Sequence, residues 1–136
     1  MPNNIRILLV EDDVVDVMTV RRALKDLHVT NPLDVAGDGE EALNRLQDQA
    51  NQRPGLILLD LNMPRMNGIE LLKELKQHEI LRRIPVVVLT TSREDEDRVA
   101  SFDLSVAGYM IKPVDYIRFV EVIRTINLYW TLSEVA

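Results

Sequence analysis

Short apolar runs alternate along the chain with stretches in which apolar residues recur every three or four positions. The runs predict five β-strands, at Ile5–Val10, Pro32–Ala36, Leu56–Leu59, Pro85–Leu89 and Ala107–Ile111. The spaced stretches predict five helices, at Val14–His28, Gly39–Ala50, Asn67–Glu79, Glu94–Leu104 and Asp115–Trp130. Most of the runs are apolar on both faces, which is typical of strands covered by helices on both sides. We therefore predict a doubly wound α/β fold whose five parallel strands are joined by right-handed crossovers.

Length and composition fit one globular domain. The chain has 136 residues, of which 46% are hydrophobic and 28% are charged. We expect a single domain over residues 1–136 with no output domain. The net charge of −6 argues against binding to nucleic acid or to an anionic membrane surface. The absence of cysteine excludes disulfides and thiolate chemistry. The N-terminal sequence resembles neither a signal peptide nor a membrane span, so a cytoplasmic location is expected.

Polar residues follow the predicted strands at their carboxyl ends, where sites form in open α/β sheets. They are Glu11, Asp12 and Asp13 after the first strand, Asp60 and Asn62 after the third, Thr90 after the fourth and Lys112 after the fifth. The carboxylates should meet and repel one another, and such hard oxygen ligands suit Mg²⁺. With Lys112 and the Thr90 hydroxyl they indicate a phosphoryl site. Each residue alone also has a plain structural explanation, and for Asp13 a helix cap is as good an explanation as a role in the site.

Four segments together resemble the receiver domain of bacterial two-component response regulators. They are LLVEDD at Leu8–Asp13, LLDLNMPRMNG at Leu58–Gly68, VVLTTS at Val87–Ser92 and GYMIKP at Gly108–Pro113. The resemblance implies a flavodoxin-like (β/α)5 fold and a phosphoacceptor signalling protein rather than a conventional enzyme. It assigns roles to seven residues. Asp60 would be the phosphoacceptor, Thr90 and Lys112 would bind phosphoryl oxygens, and Tyr109 would be the switch aromatic. Mg²⁺ would be held by Glu11, Asp12, Asp60 and the carbonyl of Asn62. The Lys112–Pro113 bond would be cis.

The mechanism that the resemblance implies is phosphoryl transfer from a phosphohistidine of a histidine kinase to Asp60. The added charge would draw Thr90 toward the phosphoryl group and let Tyr109 turn, changing the face formed by the fourth helix, fifth strand and fifth helix. Asn62 and Ser92 would flank the water that hydrolyses the acyl phosphate. The TTS sequence and the Tyr–Trp ending resemble small regulators paired with phytochrome-type kinases, and chemotaxis-type single-domain regulators are the alternative.

The last predicted helix carries more apolar surface than one core face needs. Its apolar positions extend over about half of the helical circumference, beyond the roughly 100° that a packed surface helix requires. The residues of this arc are Tyr116, Phe119, Val120, Val122, Ile123, Ile126, Tyr129 and Trp130, and Ile117 and Leu128 are apolar outside it. The helix is either a broadly apolar core helix or one that is partly buried against a second subunit. We expect the second, a homodimer through the fourth helix, fifth strand and fifth helix.

Three other functions compete with this interpretation. A phosphohydrolase of the haloacid-dehalogenase type also uses an aspartate nucleophile, but it needs a second acid at position 62 and a nucleophile on the first strand. A flavodoxin-like FMN protein needs a Ser/Thr/Gly-rich loop after the first strand, where this chain has three acidic residues. A degenerate receiver that binds partners without phosphorylation is disfavoured by intact Asp12, Asp60, Thr90 and Lys112.

Overall fold

A computed structural model describes most of the chain up to residue 112 and a few positions beyond it. The described residues are 5–26, 28–48, 50, 52–61, 63, 66–90, 93–101, 104, 106–112, 117, 118, 121 and 124, with the backbone alone at 90, 93, 95, 96 and 101. No helix in this described part is long and apolar enough to cross a membrane.

Five parallel strands form one sheet, which confirms the predicted architecture. The strands are β1 (Ile7–Val10), β2 (Leu33–Ala36), β3 (Leu56–Asp60), β4 (Val86–Thr90) and β5 (Gly108–Ile111). Their spatial order is β2-β1-β3-β4-β5, and every neighbouring pair is parallel. The chain moves outward from β1 to β2 and then returns to the other side of β1 to form β3. The order of the strands therefore reverses between β1 and β3, which is where ligands bind in folds of this type.

Helices connect the strands largely as the apolar spacing predicts. They are α1 (Val14–Asp26), α2 (Gly39–Gln47), α3 (Gly68–Gln77) and α4 (Arg93–Ser101), and a short 3₁₀ turn covers Leu81–Arg83. The predicted fifth helix lies mostly outside the described residues, but Ile117, Arg118, Glu121 and Arg124 within it are helical.

Alternate residues of the strands enter two different hydrophobic clusters, one on each face of the sheet. Leu8, Val10, Ile57, Leu59 and Val88 pack with residues of α2 and α3. Ile7, Leu9, Leu58, Val87 and Leu89 pack with the buried face of α1, formed by Val20, Ala23 and Leu24. Because side chains alternate across a strand, burial of both sets requires the apolar runs seen in the sequence.

The strand boundaries differ from the prediction by one or two residues, and two of these differences involve proline. Pro32 and Pro85 lie just before β2 and β4 rather than inside them. Neither can donate a backbone hydrogen bond, but their carbonyls accept from Ile7 and Ile57 of the neighbouring strands at 2.9 and 3.0 Å. The prolines thus begin the sheet ladder without interrupting it.

Candidate functional site

The carboxyl ends of β1 and β3 bring two buried carboxylates together. Val10 pairs with Leu59, so Glu11, the residue after β1, lies beside Asp60, the last residue of β3. Both Glu11 and Asp60 are only 2% exposed. The Glu11 N–H donates a hydrogen bond to the Ala36 carbonyl at 2.9 Å. This bond extends the β1–β2 ladder by one residue and fixes the position of the Glu11 backbone. The strand-end prediction therefore places these two residues correctly.

A third carboxylate completes an oxygen cluster. Asp12 is exposed, and one oxygen each from Glu11, Asp12 and Asp60 lies within 4.8 Å of the others. The next residue, Asp13, has a different role: its Oδ1 accepts from the Val15 N–H at 2.8 Å and from the Asp16 N–H at 3.4 Å. Asp13 is thus the N-cap of α1, so its plain structural explanation fits the geometry.

Lys112 reaches the cluster from the end of β5. Its Nζ lies 2.8 Å from Glu11 Oε2, 2.9 Å from Asp16 Oδ2 and 3.3 Å from Asp60 Oδ1. Its side chain is only 14% exposed, whereas most lysine side chains lie on the surface in contact with solvent. One ammonium therefore contacts three carboxylates, which come from the residue after β1, from α1 and from the end of β3.

Burial and charge change the proton affinities in the cluster. Burial is the main reason that the pKa of Glu11 rises to about 7; the charge of Asp60 acts in the same direction, while Lys112 and the Asp13 N–H oppose it. Burial alone would lower the pKa of the Lys112 ammonium, but its contacts with Glu11, Asp16 and Asp60 outweigh burial and raise that pKa. The lysine therefore stays cationic, while the glutamate is held partly protonated near neutral pH.

The donor set fits a hard divalent cation. Glu11 Oε2 is buried, and the Lys112 ammonium lies 2.8 Å from it. All three clustered donors are carboxylate oxygens, which suit Mg²⁺ or Mn²⁺ better than they suit metals that prefer nitrogen or sulfur. Glu11, Asp12 and Asp60 are the residues that would hold such an ion.

The connection from β3 to α3 explains why glycine follows the acidic strand end. A Cβ on Gly68 would lie 2.6 Å from the Asp60 carbonyl oxygen and 2.6 Å from Leu61 Cα, so no side chain fits there. Asn67 caps α3 in a reciprocal capping box with Glu70. The helix therefore starts directly against the backbone of Asp60.

The remaining sequence-predicted site residues are described only in part. Asn62, Ser92 and Pro113 lie outside the described residues. The backbone of Thr90 ends β4 and is paired with Ile111 of β5, but its side chain is not described. Tyr109 is half-buried and packs against the core cluster on the α2–α3 face of the sheet. The roles expected of Thr90, Tyr109 and Asn62 stay predictions.

Sequence reasoning missed Asp16, which contacts Lys112 directly. The available signal was its position in the first turn of α1, which begins three residues after Glu11. Acidic residues are common in first turns because they interact favourably with the helix dipole, so that signal did not distinguish a site residue.

Comparison with known proteins identifies the family. Residues 7–124 match the model of the response regulator receiver domain. The chain belongs to the response regulator receiver family. This receiver domain is thus a phosphoacceptor response regulator of two-component signalling, and the phosphohydrolase and FMN-protein alternatives are wrong.

The relatives include regulators associated with phytochromes. The response regulator Rcp1 of Synechocystis sp. is 41% identical over 128 residues, which are 91% of this chain and 87% of that protein. The solved bacteriophytochrome response regulator AtBRR is 38% identical with a TM-score of 0.82, covering 91% of this receiver and 93% of that chain. The phosphorylated cyanobacterial phytochrome regulator RcpA is 38% identical with a TM-score of 0.75, covering 94% of each chain. Rcp1 has also been solved in an Mn²⁺-bound form, and receiver domains bind divalent metal.

Proposed function

We propose that Asp60 accepts a phosphoryl group from the phosphohistidine of a phytochrome-type histidine kinase, with Mg²⁺ as the metal. The observation that carries this proposal is the position of Asp60: it is buried at the end of β3, 3.3 Å from the Lys112 ammonium and within 4.8 Å of two further carboxylates. The likeness to regulators described as phytochrome or bacteriophytochrome response regulators supports this class of kinase. The cytoplasmic location expected from the sequence belongs to the same proposal.

The chemistry follows from the groups around Asp60. A carboxylate oxygen attacks phosphorus, the P–N bond breaks, and the imidazole leaves with the electron pair of that bond. The product is an acyl phosphate on Asp60. Mg²⁺ would neutralise part of the negative charge on the phosphoryl oxygens. Lys112 holds a second positive charge beside the same carboxylate, and a loose, in-line transition state needs this positioning more than covalent assistance.

An exposed apolar surface lies beside the cluster and suits the kinase partner. Val14, Val15 and Met18 on α1 are between 64% and 70% exposed, and α1 begins two residues after Asp12. A phosphohistidine donor must come close to Asp60, so a partner helix that packs on α1 would be held next to the reacting carboxylate. This surface supports docking of another protein rather than access by a small substrate alone.

The proposed output is a change in the face formed by α4, β5 and the fifth helix, with Thr90 and Tyr109 as the switch pair. Apolar surface is present on this face, since Ile111 is 46% and Ile117 is 69% exposed. A homodimer through this face would bury it. Sedimentation with and without a phosphoryl mimic tests the dimer: a monomer in both states would contradict it, and a dimer unaffected by Tyr129→Glu would place the contact elsewhere.

Acetyl phosphate labelling tests the phosphoacceptor. The wild-type protein should gain one phosphoryl group in the presence of Mg²⁺ and none with a chelator, as read by intact-protein mass. Asp60→Asn should abolish the label. Asp13→Asn is the matched control, because it removes one nearby carboxylate, keeps a good helix cap and should label normally. Labelling of Asp60→Asn at the wild-type level would disprove the assignment.

A further inference from the structure

Asp16 makes a directed contact with Lys112 across 96 residues of sequence. The Lys112 ammonium donates a hydrogen bond to Asp16 Oδ2 at 2.9 Å, and the side chains are 14% and 24% exposed, respectively. Asp16 lies on α1, one turn beyond the oxygen cluster, and is not among the three residues whose oxygens cluster within 4.8 Å. It is therefore a partner for the lysine outside the group that fits a metal.

The other two partners of Lys112 are shared with the metal site. The ammonium contacts one oxygen of Glu11 and one of Asp60, and both residues belong to the oxygen cluster. A divalent cation on these oxygens would compete with the ammonium for them and would also repel it, since like charges a few ångströms apart repel even in water. Without the Asp16 carboxylate, the lysine would then gain by turning toward solvent.

We infer that Asp16 is a positioning residue that keeps the Lys112 ammonium beside Asp60 when a metal ion takes the charge of Glu11 and Asp12. The ammonium is then already in place to bind a phosphoryl oxygen on Asp60. This inference rests on the proposed function, because it assigns Lys112 to the phosphoryl group. A first-turn acid that only interacts with the helix dipole would leave the lysine unaffected.

The test is the affinity for beryllofluoride, a phosphoryl mimic, measured by calorimetry in saturating Mg²⁺. Asp16→Asn should weaken binding on the order of fivefold to tenfold, in the range of coupling between contacting charged residues. Asp16→Glu should recover part of the loss, because it restores the anion. Asp13→Asn removes a charge three residues away without touching Lys112, and it should bind like the wild-type protein.

A double-mutant cycle separates positioning from a general effect of charge. In a Lys112→Met background, Asp16→Asn should change beryllofluoride affinity little, because the residue through which Asp16 acts is absent. An equal loss in both backgrounds, an unchanged affinity, or tighter binding by Asp16→Asn would overturn the inference. Tighter binding would mean that Asp16 competes with the phosphoryl group for the lysine.

Urea unfolding and the binding of beryllofluoride to Asp60→Asn distinguish a loss of positioning from a loss of folding or of the proposed function. Urea unfolding of each variant shows whether it is folded, and Asp16→Glu provides a second test if Asp16→Asn is unstable. If the wild-type protein does not bind beryllofluoride, or if Asp60→Asn binds it equally well, the proposed function fails. If binding depends on Asp60 but not on Asp16, only the positioning role fails.

Discussion

Replacing Asp12 with asparagine should stabilise the metal-free protein. One oxygen of Asp12 lies within 4.8 Å of an oxygen of Glu11 and of Asp60. Two unit charges at that distance repel by about 0.9 kcal/mol in water, the relevant dielectric because Asp12 is exposed. Glu11, with a pKa near 7, carries only part of its charge at neutral pH. We therefore expect Asp12→Asn to raise the free energy of unfolding by about 1 kcal/mol in a chelator.

The same substitution should reduce the response to Mg²⁺. At a Mg²⁺ concentration one hundred times its Kd, the wild-type protein should gain about 2.7 kcal/mol, and a tenfold weaker site would leave about 1.4 kcal/mol. Urea unfolding followed by circular dichroism measures both effects, with Asp13→Asn as the control. High salt should shrink the gain seen in chelator, because it screens the repulsion. A variant less stable in chelator, with the wild-type response to Mg²⁺, would refute the assignment of Asp12 to the cluster.

Two further predictions concern hydrogen bonds outside the oxygen cluster. Asn67→Ala should lower the free energy of unfolding by about 1 kcal/mol, because it removes the α3 cap, whereas Asn67→Asp should stay close to wild type in the same urea assay. The second concerns Asp34, whose pKa is lowered chiefly by hydrogen bonds from Arg6 at 2.8 and 2.9 Å. Its contribution to stability is present above its ordinary pKa of 3.8 and is lost as the pH falls through the lowered value. The stability difference between wild type and Asp34→Asn should therefore stay constant from pH 7 to pH 5 and shrink below pH 4, and a difference that grows on acidification would contradict this.

The fold was predictable because burial on both faces leaves a clear pattern in short strands. Leu56–Leu59 contains no polar residue, and the structure buries every residue of β3. The position of Asp60 follows from the same pattern, since the first charged residue after a buried strand must lie at its carboxyl end. Parallel pairing then brings it next to Glu11, so the main pair of the site could be found without coordinates.

Features that depend on local hydrogen bonding were harder to predict. The 3₁₀ turn at Leu81–Arg83 follows the end of α3, where His78 Nδ1 accepts from the N–H groups of Ile80 and Leu81 at 3.2 and 3.1 Å. An imidazole that caps a turn has no characteristic spacing in sequence. Asp16 escaped prediction for a related reason: its contact depends on where the long Lys112 side chain extends, which apolar periodicity does not determine.

The charge balance of the site couples its two expected ligands. Lys112 contacts the carboxylates of Glu11, Asp16 and Asp60, and Asp12 adds a fourth carboxylate to the oxygen cluster. A single ammonium cannot neutralise all four, even when Glu11 is protonated. Phosphorylation of Asp60 replaces a carboxylate charge of about −1 with a phosphoryl charge of about −1.5 to −2. Each cation bound at the oxygen cluster therefore favours the phosphoryl group, and linkage requires that the phosphoryl group favour the cation by the same factor. Lys112 is the cation that the described contacts supply to these carboxylates, so a divalent metal in the oxygen cluster would favour a stable phosphoryl group on Asp60.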